Sequence, residues 1–218
     1  MGMAQAALLE GAEVYGVSRR GSSLELQGHA KADLEDLEAI PSELEELLEG
    51  VQELDLVVLN AGQLGPMDYL QDQRQEVLDK LMKVNLWSNK VMVDWLLGKV
   101  PRVHQVVMIS SGASINGNAG WGGYSISKAA LNMMVKLYAS EVPKVHFSSL
   151  APGLIDSPMQ DVLCEVEDLN KYPSLKRLRE ARGTDDMPSP NAAGLKIWKA
   201  LPSLKNHPSG SYLDIRKI

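Results

Sequence analysis

The reading of the fold turns on Val103-His104-Gln105-Val106-Val107-Met108-Ile109-Ser110-Ser111. Its apolar run is continuous rather than alternating, which is the pattern of a strand buried on both faces. A glycine-rich loop, Gly112 to Gly123, follows it. From Tyr124 to Ser140, apolar side chains then recur at helical spacing (Ile126, Ala129, Ala130, Met133, Met134, Leu137). The same alternation extends outward in both directions. Upstream, Glu13–Ser18 reads as a buried strand after a helix ending at Gly11, residues 24–32 as a weaker strand, and Leu54–Leu59 as a continuous strand broken by Asn60-Ala61-Gly62. Ser42-Glu43-Leu44-Glu45 has capping-box spacing and opens a short helix that Gly50 stops. A long helix is expected over residues 74–97. Downstream, Val145–Leu150 is a strand ending at Ala151-Pro152-Gly153. A polar, irregular passage runs to about Pro190, followed by a helix near 191–200 and a last strand near 211–215. Buried strands alternating with amphipathic helices predict an α/β fold, a doubly wound parallel sheet in a three-layer α/β/α arrangement.

The chain has 218 residues, 44% of them hydrophobic and 23% charged, with a formal net charge of −6. No repeat, linker or composition break divides it, so residues 1–218 are expected to form a single domain. The acidic balance excludes a general nucleic-acid binder and an anionic-membrane binder. The one cysteine, Cys164, allows no internal disulfide and suits a reducing compartment. No apolar run approaches the roughly 18 residues of a membrane span. The start of the chain, through Glu10, has no basic region ahead of its apolar stretch. A cytoplasmic location follows as the expectation. The nine carboxylates between Asp33 and Glu53 read as a solvated helix face. His104, His146 and Cys164 have no partners at ligand spacing, so no metal site is expected.

Tyr124-Ser125-Ile126-Ser127-Lys128 puts a phenol and an ammonium on one helix face. The pairing has a chemical use: a free tyrosine titrates near 10, and proton transfer near neutrality calls for a shift of about three units. A lysine charge about 4 Å away supplies energy of that order. A second such pair, Tyr172-Pro173-Ser174-Leu175-Lys176, lies in polar, irregular sequence and has no serine thirteen residues before it. Ser111 stands thirteen residues before Tyr124, at a strand end, where side chains open onto the crevice in which α/β sheets bind ligands. Taken alone, Ser111 could equally be capping local backbone, and Asn85, inside the long helix, could be bonded to backbone.

Asn60-Ala61-Gly62, a helical Asn85, Ser111, Tyr124-x-x-x-Lys128 and Pro152-Gly153 occur in that order. Together they resemble the short-chain dehydrogenase/reductase family along nearly the whole chain. The resemblance implies a Rossmann-like domain and a catalytic set of Asn85, Ser111, Tyr124 and Lys128. In that set Tyr124 gives a proton to a carbonyl oxygen of a small-molecule substrate and Ser111 hydrogen-bonds the same oxygen. Lys128 lowers the pKa of Tyr124 and holds the cofactor's ribose, while Asn85 helps hold a water chain. The cofactor implied is NADP(H). Ser18-Arg19-Arg20 stands where the family's NAD-binding members carry an acid, and a hydroxyl followed by arginine suits a 2′-phosphate. Asp33 and Leu34 match positions beside the adenine. Asn60, Ala61, Gly62, Pro152, Gly153, Ile155 and Ser157 match the rest of the nucleotide site.

Trp121 and Met159 are candidates to line an apolar substrate pocket, with core packing the other reading of each. The texture around Gly120–Ser125, Leu150–Asp156 and Lys171–Leu175 is similar to the sepiapterin reductase and benzil reductase branch. That similarity implies reduction of a ketone or vicinal dicarbonyl by a homodimer or homotetramer paired through its two long helices. The family also opens with a strand and a Thr-Gly-x-x-x-Gly-x-Gly turn, and this chain has neither. The expectation is therefore a sheet without its usual first strand, in a chain that begins late. A protein on the same fold that binds NADP without turnover, as a sensor or interaction module, is the alternative.

Overall fold

The computed structural model describes all residues from Met1 to Ile218. In chain order the elements are α1 (Gly2–Leu9), β1 (Tyr15–Ser18), β2 (Gly28–Lys31), α2 (Ile40–Leu47), β3 (Glu53–Leu54), β4 (Val57–Leu59), α3 (Gln75–Met82), α4 (Ser88–Lys99), β5 (Arg102–Val103), β6 (Gln105–Ile109), α5 (Gly122–Glu141), β7 (His146–Ala151), α6 (Pro158–Glu165), α7 (Ser174–Ala181), α8 (Pro190–Ala200) and β8 (Ser211–Asp214). Every strand pairing is parallel. The ladders form a four-stranded sheet ordered β4-β6-β7-β8, a separate pair β1-β2, and a short β3-β5 ladder just ahead of β4 and β6.

Alternation along β6 builds the two faces. Val106 and Met108 enter one core with Leu44 of α2, Val93 of α4, Leu131 and Val135 of α5 and Phe147 of β7. Val107 and Ile109 enter a second core with Ile197 of α8, Leu150 and Leu213. Every side chain of β6 is buried, as expected for a parallel strand covered on both sides. Tyr15 and Val17 of β1 pack against the first core, so side chains connect the two-stranded pair to the larger sheet although no ladder does. On the second face α1 crosses α8 closely: a Cβ on Gly194 would lie 2.4 Å from the carbonyl carbon of Gly2, and only glycine fits there.

Several boundaries differ from expectation. The weak strand over 24–32 shortens to Gly28–Lys31, because Leu24 turns back to the Ser22 hydroxyl. The strand over Leu54–Leu59 breaks into β3 and β4. Ser42 is not a cap. Its helix starts at Ile40 with Pro41 in the first turn, and the Ser42 hydroxyl donates to the Ala39 carbonyl. The passage before Pro190 holds two helices, α6 and α7, the latter burying Leu175, Leu178 and Ala181. The long helix over 74–97 is interrupted by one π turn, Lys83–Trp87.

Candidate active site

All strands run the same way, so their C-terminal ends gather on one edge of the fold. Ser18 ends β1, and the segments just beyond the other strands carry Asp33, Asn60, Ser111, Gly153 and Arg216. Helix α5 faces this edge and buries Tyr124, Ser127, Lys128 and Asn132. Ser111 caps a 3₁₀ turn over Gly112–Ser114. Its Oγ accepts the Ala113 N–H at 3.1 Å, which leaves the hydroxyl proton free to donate outward.

Tyr124 is 8% exposed. Burial raises its pKa, and the neighbouring Ser111 hydroxyl opposes the rise. The lysine charge was expected to be the opposing influence; instead, the Lys128 ammonium turns to the Ile109 carbonyl, donating across 2.8 Å. Burial lowers Lys128 to about 8, since a desolvated ammonium sheds its proton more readily.

Asn85 lies in the π turn, a feature that re-aims side chains at many functional sites. It has no exposure. Its Oδ1 accepts the Gln63 N–H at 2.7 Å, and its Nδ2 donates to the Gln63 carbonyl at 2.8 Å and to Ser127 Oγ at 2.9 Å. Ser127 in turn donates to the Tyr124 carbonyl at 2.7 Å. Asn85 thus ties the Asn60–Gln63 segment to the first turns of α5, which is the backbone-bonding role weighed for it in the sequence. Gly62 sits inside this junction: a Cβ there would lie 3.2 Å from Lys128 Nζ and 3.3 Å from Asn85 Oδ1. Gln63, Ser127, Ser114 and Asn132 escaped the sequence reading, and only the helical register with Tyr124 and Lys128 signalled the two that lie on α5.

The remaining nucleotide candidates line the same edge. Ser18 Oγ bonds the Arg20 carbonyl and lies 2.9 Å from His29 Nε2. Arg19 and Arg20 are exposed and enter no ion pair. Asp33 accepts the Glu35 N–H, and Leu34 packs against the first core. Asn60 and Ala61 are exposed. Gly153 adopts φ 78°, a conformation that favours glycine after Pro152. Ile155 packs with the second core, and the Ser157 carbonyl accepts the first turn of α6.

Over Tyr124, the Trp121 ring is tilted at 6.2 Å, and its Nε1 donates to Ser174 Oγ at 2.9 Å. Trp121 packs into a third cluster with Tyr172, Leu175, Met67 and Leu64. Tyr172 belongs to this wall rather than to a catalytic pair, since its hydroxyl donates to the Met67 carbonyl at 2.8 Å. The wall comes so close to the backbone that a Cβ on Gly120 would strike the Tyr172 ring at 2.6 Å. Met159, on α6, is half-buried and outside this cluster. Away from the site, pairing of β3 with β5 brings Glu53, Asp55 and His104 together, with ligand atoms all within 4.8 Å. Linear spacing hides this exposed group. Glu53 is already engaged by Arg102 and His104.

The family profile described as short chain dehydrogenase matches residues 2–168. The chain belongs to the short-chain dehydrogenase/reductase family. It is 34% identical over 171 residues to benzil reductase ((S)-benzoin forming) IRC24 of Saccharomyces cerevisiae, covering 70% of this chain and 65% of that one. It is 28% identical to benzil reductase ((S)-benzoin forming) of Bacillus subtilis over 97% of this chain and 91% of that one. The chain spans between about half and just under two thirds of several other curated relatives it matches. Among solved structures, the KRED1-Pglu enzyme superposes with TM-score 0.84 at 28% identity, covering 97% of this chain and 93% of that one.

Short-chain dehydrogenases/reductases use NAD(H) or NADP(H). The residues present fit such a group at two points. The buried Lys128 ammonium has three donors and one protein acceptor, leaving donors to spare beside Gly62, where a Cβ would come within 3.2 Å of Nζ. Two unpaired arginines follow β1. As for the membrane, no helix is long and apolar enough to cross one.

Proposed function

We propose that this short-chain dehydrogenase/reductase reduces a ketone, or one carbonyl of a vicinal dicarbonyl, with NADPH as reductant. It would act as a single domain, cytoplasmic and homo-oligomeric. The observation that carries the reading is the Ser111–Tyr124 pair, held at the sheet edge beside the half-engaged ammonium of Lys128. NADPH, when bound, supplies the hydride. Lys128 and the Asn60–Gly62 segment would hold its ribose, Pro152, Gly153, Ile155 and Ser157 its nicotinamide end, Asp33 and Leu34 its adenine, and Ser18 and Arg19 its 2′-phosphate.

The chain's own groups do the rest. Ser111, its Oγ fixed by the Ala113 N–H, donates its proton toward the carbonyl oxygen and orients it. Tyr124 gives that oxygen a proton. Burial keeps the phenol protonated, as a donor requires. Lys128, one helical turn on, would feed a proton back toward Tyr124 through water, and Asn85 keeps the Gln63 segment and α5 in register around it. Trp121 offers an aromatic ring over Tyr124, backed by the buried Tyr172 cluster, which suits a flat, apolar substrate. Met159 of α6 would add an apolar side chain to the substrate site.

Mixing the protein with NADPH and benzil and following the nicotinamide absorbance tests this. Turnover is expected. Tyr124→Phe should lower it by about 10²–10⁴-fold while NADPH binding stays intact. Binding of NADPH with no turnover would favour the sensor reading.

A further inference from the structure

Helix α5 reaches the end of β6 at three successive levels, spaced four residues apart. Tyr124 faces Ser111, and Lys128 donates to the Ile109 carbonyl. The third level is Asn132, 9% exposed, whose role is not covered by the reaction above. Its Oδ1 accepts the Ser110 hydroxyl at 2.7 Å, and its Nδ2 donates to Ser114 Oγ at 2.8 Å. Ser110 and Ser114 bracket Ser111. Ser114 Oγ then donates its own proton back to the Ser111 carbonyl at 2.6 Å, and the Ser114 N–H reaches the same carbonyl at 3.0 Å. The hydrogen bonds therefore run in one direction, from Ser110 to Asn132, from Asn132 to Ser114 and from Ser114 to Ser111.

We infer that Asn132 is a positioning residue for the reaction: through Ser110 and Ser114 it locks the turn that aims the Ser111 hydroxyl at the substrate oxygen. This rests on the reading of Ser111 and Tyr124 as the reacting pair. The side chain suits the task because an amide both accepts and donates, and the two hydroxyls need one of each. Leucine has nearly the same shape and can do neither. The strand end itself is held by the Ser110 N–H on the Leu150 carbonyl at 2.8 Å, but beyond it the other links are longer or local to the turn. The Tyr212 hydroxyl reaches the Ser111 carbonyl only at 3.4 Å, and the Ala113 N–H fixes Ser111 Oγ within the turn without anchoring the turn to α5.

The test compares Asn132→Leu, Ser114→Ala and Ser114→Thr with the parent chain, using NADPH and benzil. The first two should lose about 10- to 100-fold in kcat, since small misplacements of a reacting group cost that much. Their NADPH dissociation constant, from fluorescence titration, should stay within about twofold, and Ser114→Thr, which keeps the hydroxyl, should restore kcat. Hydrogen exchange of the peptide 110–116 provides a readout independent of turnover, and it should quicken in Asn132→Leu and Ser114→Ala. Parental kcat with a lowered melting temperature would make Asn132 merely structural and overturn the inference, as would unchanged exchange. If Asn132→Leu does not fold, Ser114→Ala decides. Full activity in Tyr124→Phe would instead overturn the active-site reading itself.

Discussion

The ammonium of Lys128 donates to the carbonyl of Ile109 across 2.8 Å, inside the fold and 3% exposed. Holding a charge there works against folding, because burial lowers the pKa from 10.5 to about 8. A lysine with a depressed folded-state pKa destabilises fully below that pKa. The penalty fades as pH rises from about 8 toward 10.5, where the unfolded chain also loses its proton. Lys128→Met should therefore be more stable than the parent at pH 7, by up to ~3 kcal/mol, while losing turnover. Melting curves taken between pH 6 and 10 check this, and the gap should narrow above about 8. A parent that outlasts the variant at neutral pH would contradict it.

The same titration predicts the activity profile. Reduction consumes a proton that Lys128 returns to Tyr124, and Tyr124 itself titrates above its ordinary value. The basic limb of kcat should fall near pH 8, where Lys128 empties. A limb seen only above 10 would assign proton supply elsewhere.

Asn85 fills three hydrogen bonds without any exposure. Asn85→Leu leaves the Gln63 N–H and carbonyl unpaired in a part-buried junction. Each such orphan costs about 1–3 kcal/mol, so a loss of roughly 2–5 kcal/mol is expected in urea denaturation. A variant within 0.5 kcal/mol of the parent would mean that the Gln63 segment finds other partners.

Arg19 stands exposed and unpaired after β1. A charge-assisted bond to a 2′-phosphate is worth about 1.5–3 kcal/mol, so Arg19→Ala should raise the dissociation constant for NADPH about 10- to 100-fold and leave that for NADH nearly unchanged. Equal losses for the two nucleotides would remove the 2′-phosphate from this position.

Helix α5 leaves Ile126, Met133 and Leu137 about half exposed, with Trp87 of the adjacent π turn beside them in the same state. An apolar stripe of this kind is where the proposed homo-oligomer would pair. Met133→Glu with Leu137→Glu should convert an oligomer to monomer in light scattering. An unchanged mass would assign assembly to another surface.

The parts legible in the sequence were those encoded locally. Tyr124 and Lys128 lie one helical turn apart, Ser111 ends an apolar run, and Gly62 and Gly153 follow strands. What stayed hidden depends on which distant segments meet. Asn85 and Ser127 are 42 positions apart and bond directly, and nothing in either neighbourhood announces the other. Glu53 and His104 meet only because β3 and β5 pair. The π turn adds one residue to a helix whose apolar periodicity reads through it. Helix α7 was concealed by its charges, although Leu175, Leu178 and Ala181 repeat every three residues along its buried side.

The division of the sheet has a mechanical consequence. The β1-β2 pair carries Ser18 and Arg19, while the β4-β6-β7-β8 sheet carries Asn60–Gly62, Ser111 and Gly153. The two plates are joined by side-chain packing of Tyr15 and Val17 and by Glu35, whose carboxylate accepts from Gln63 and Lys80, rather than by rungs of backbone hydrogen bonds. A long ligand gripped at one end by Arg19 and at the other by Lys128 would therefore act as a tie rod, adding a link between plates that side chains otherwise join.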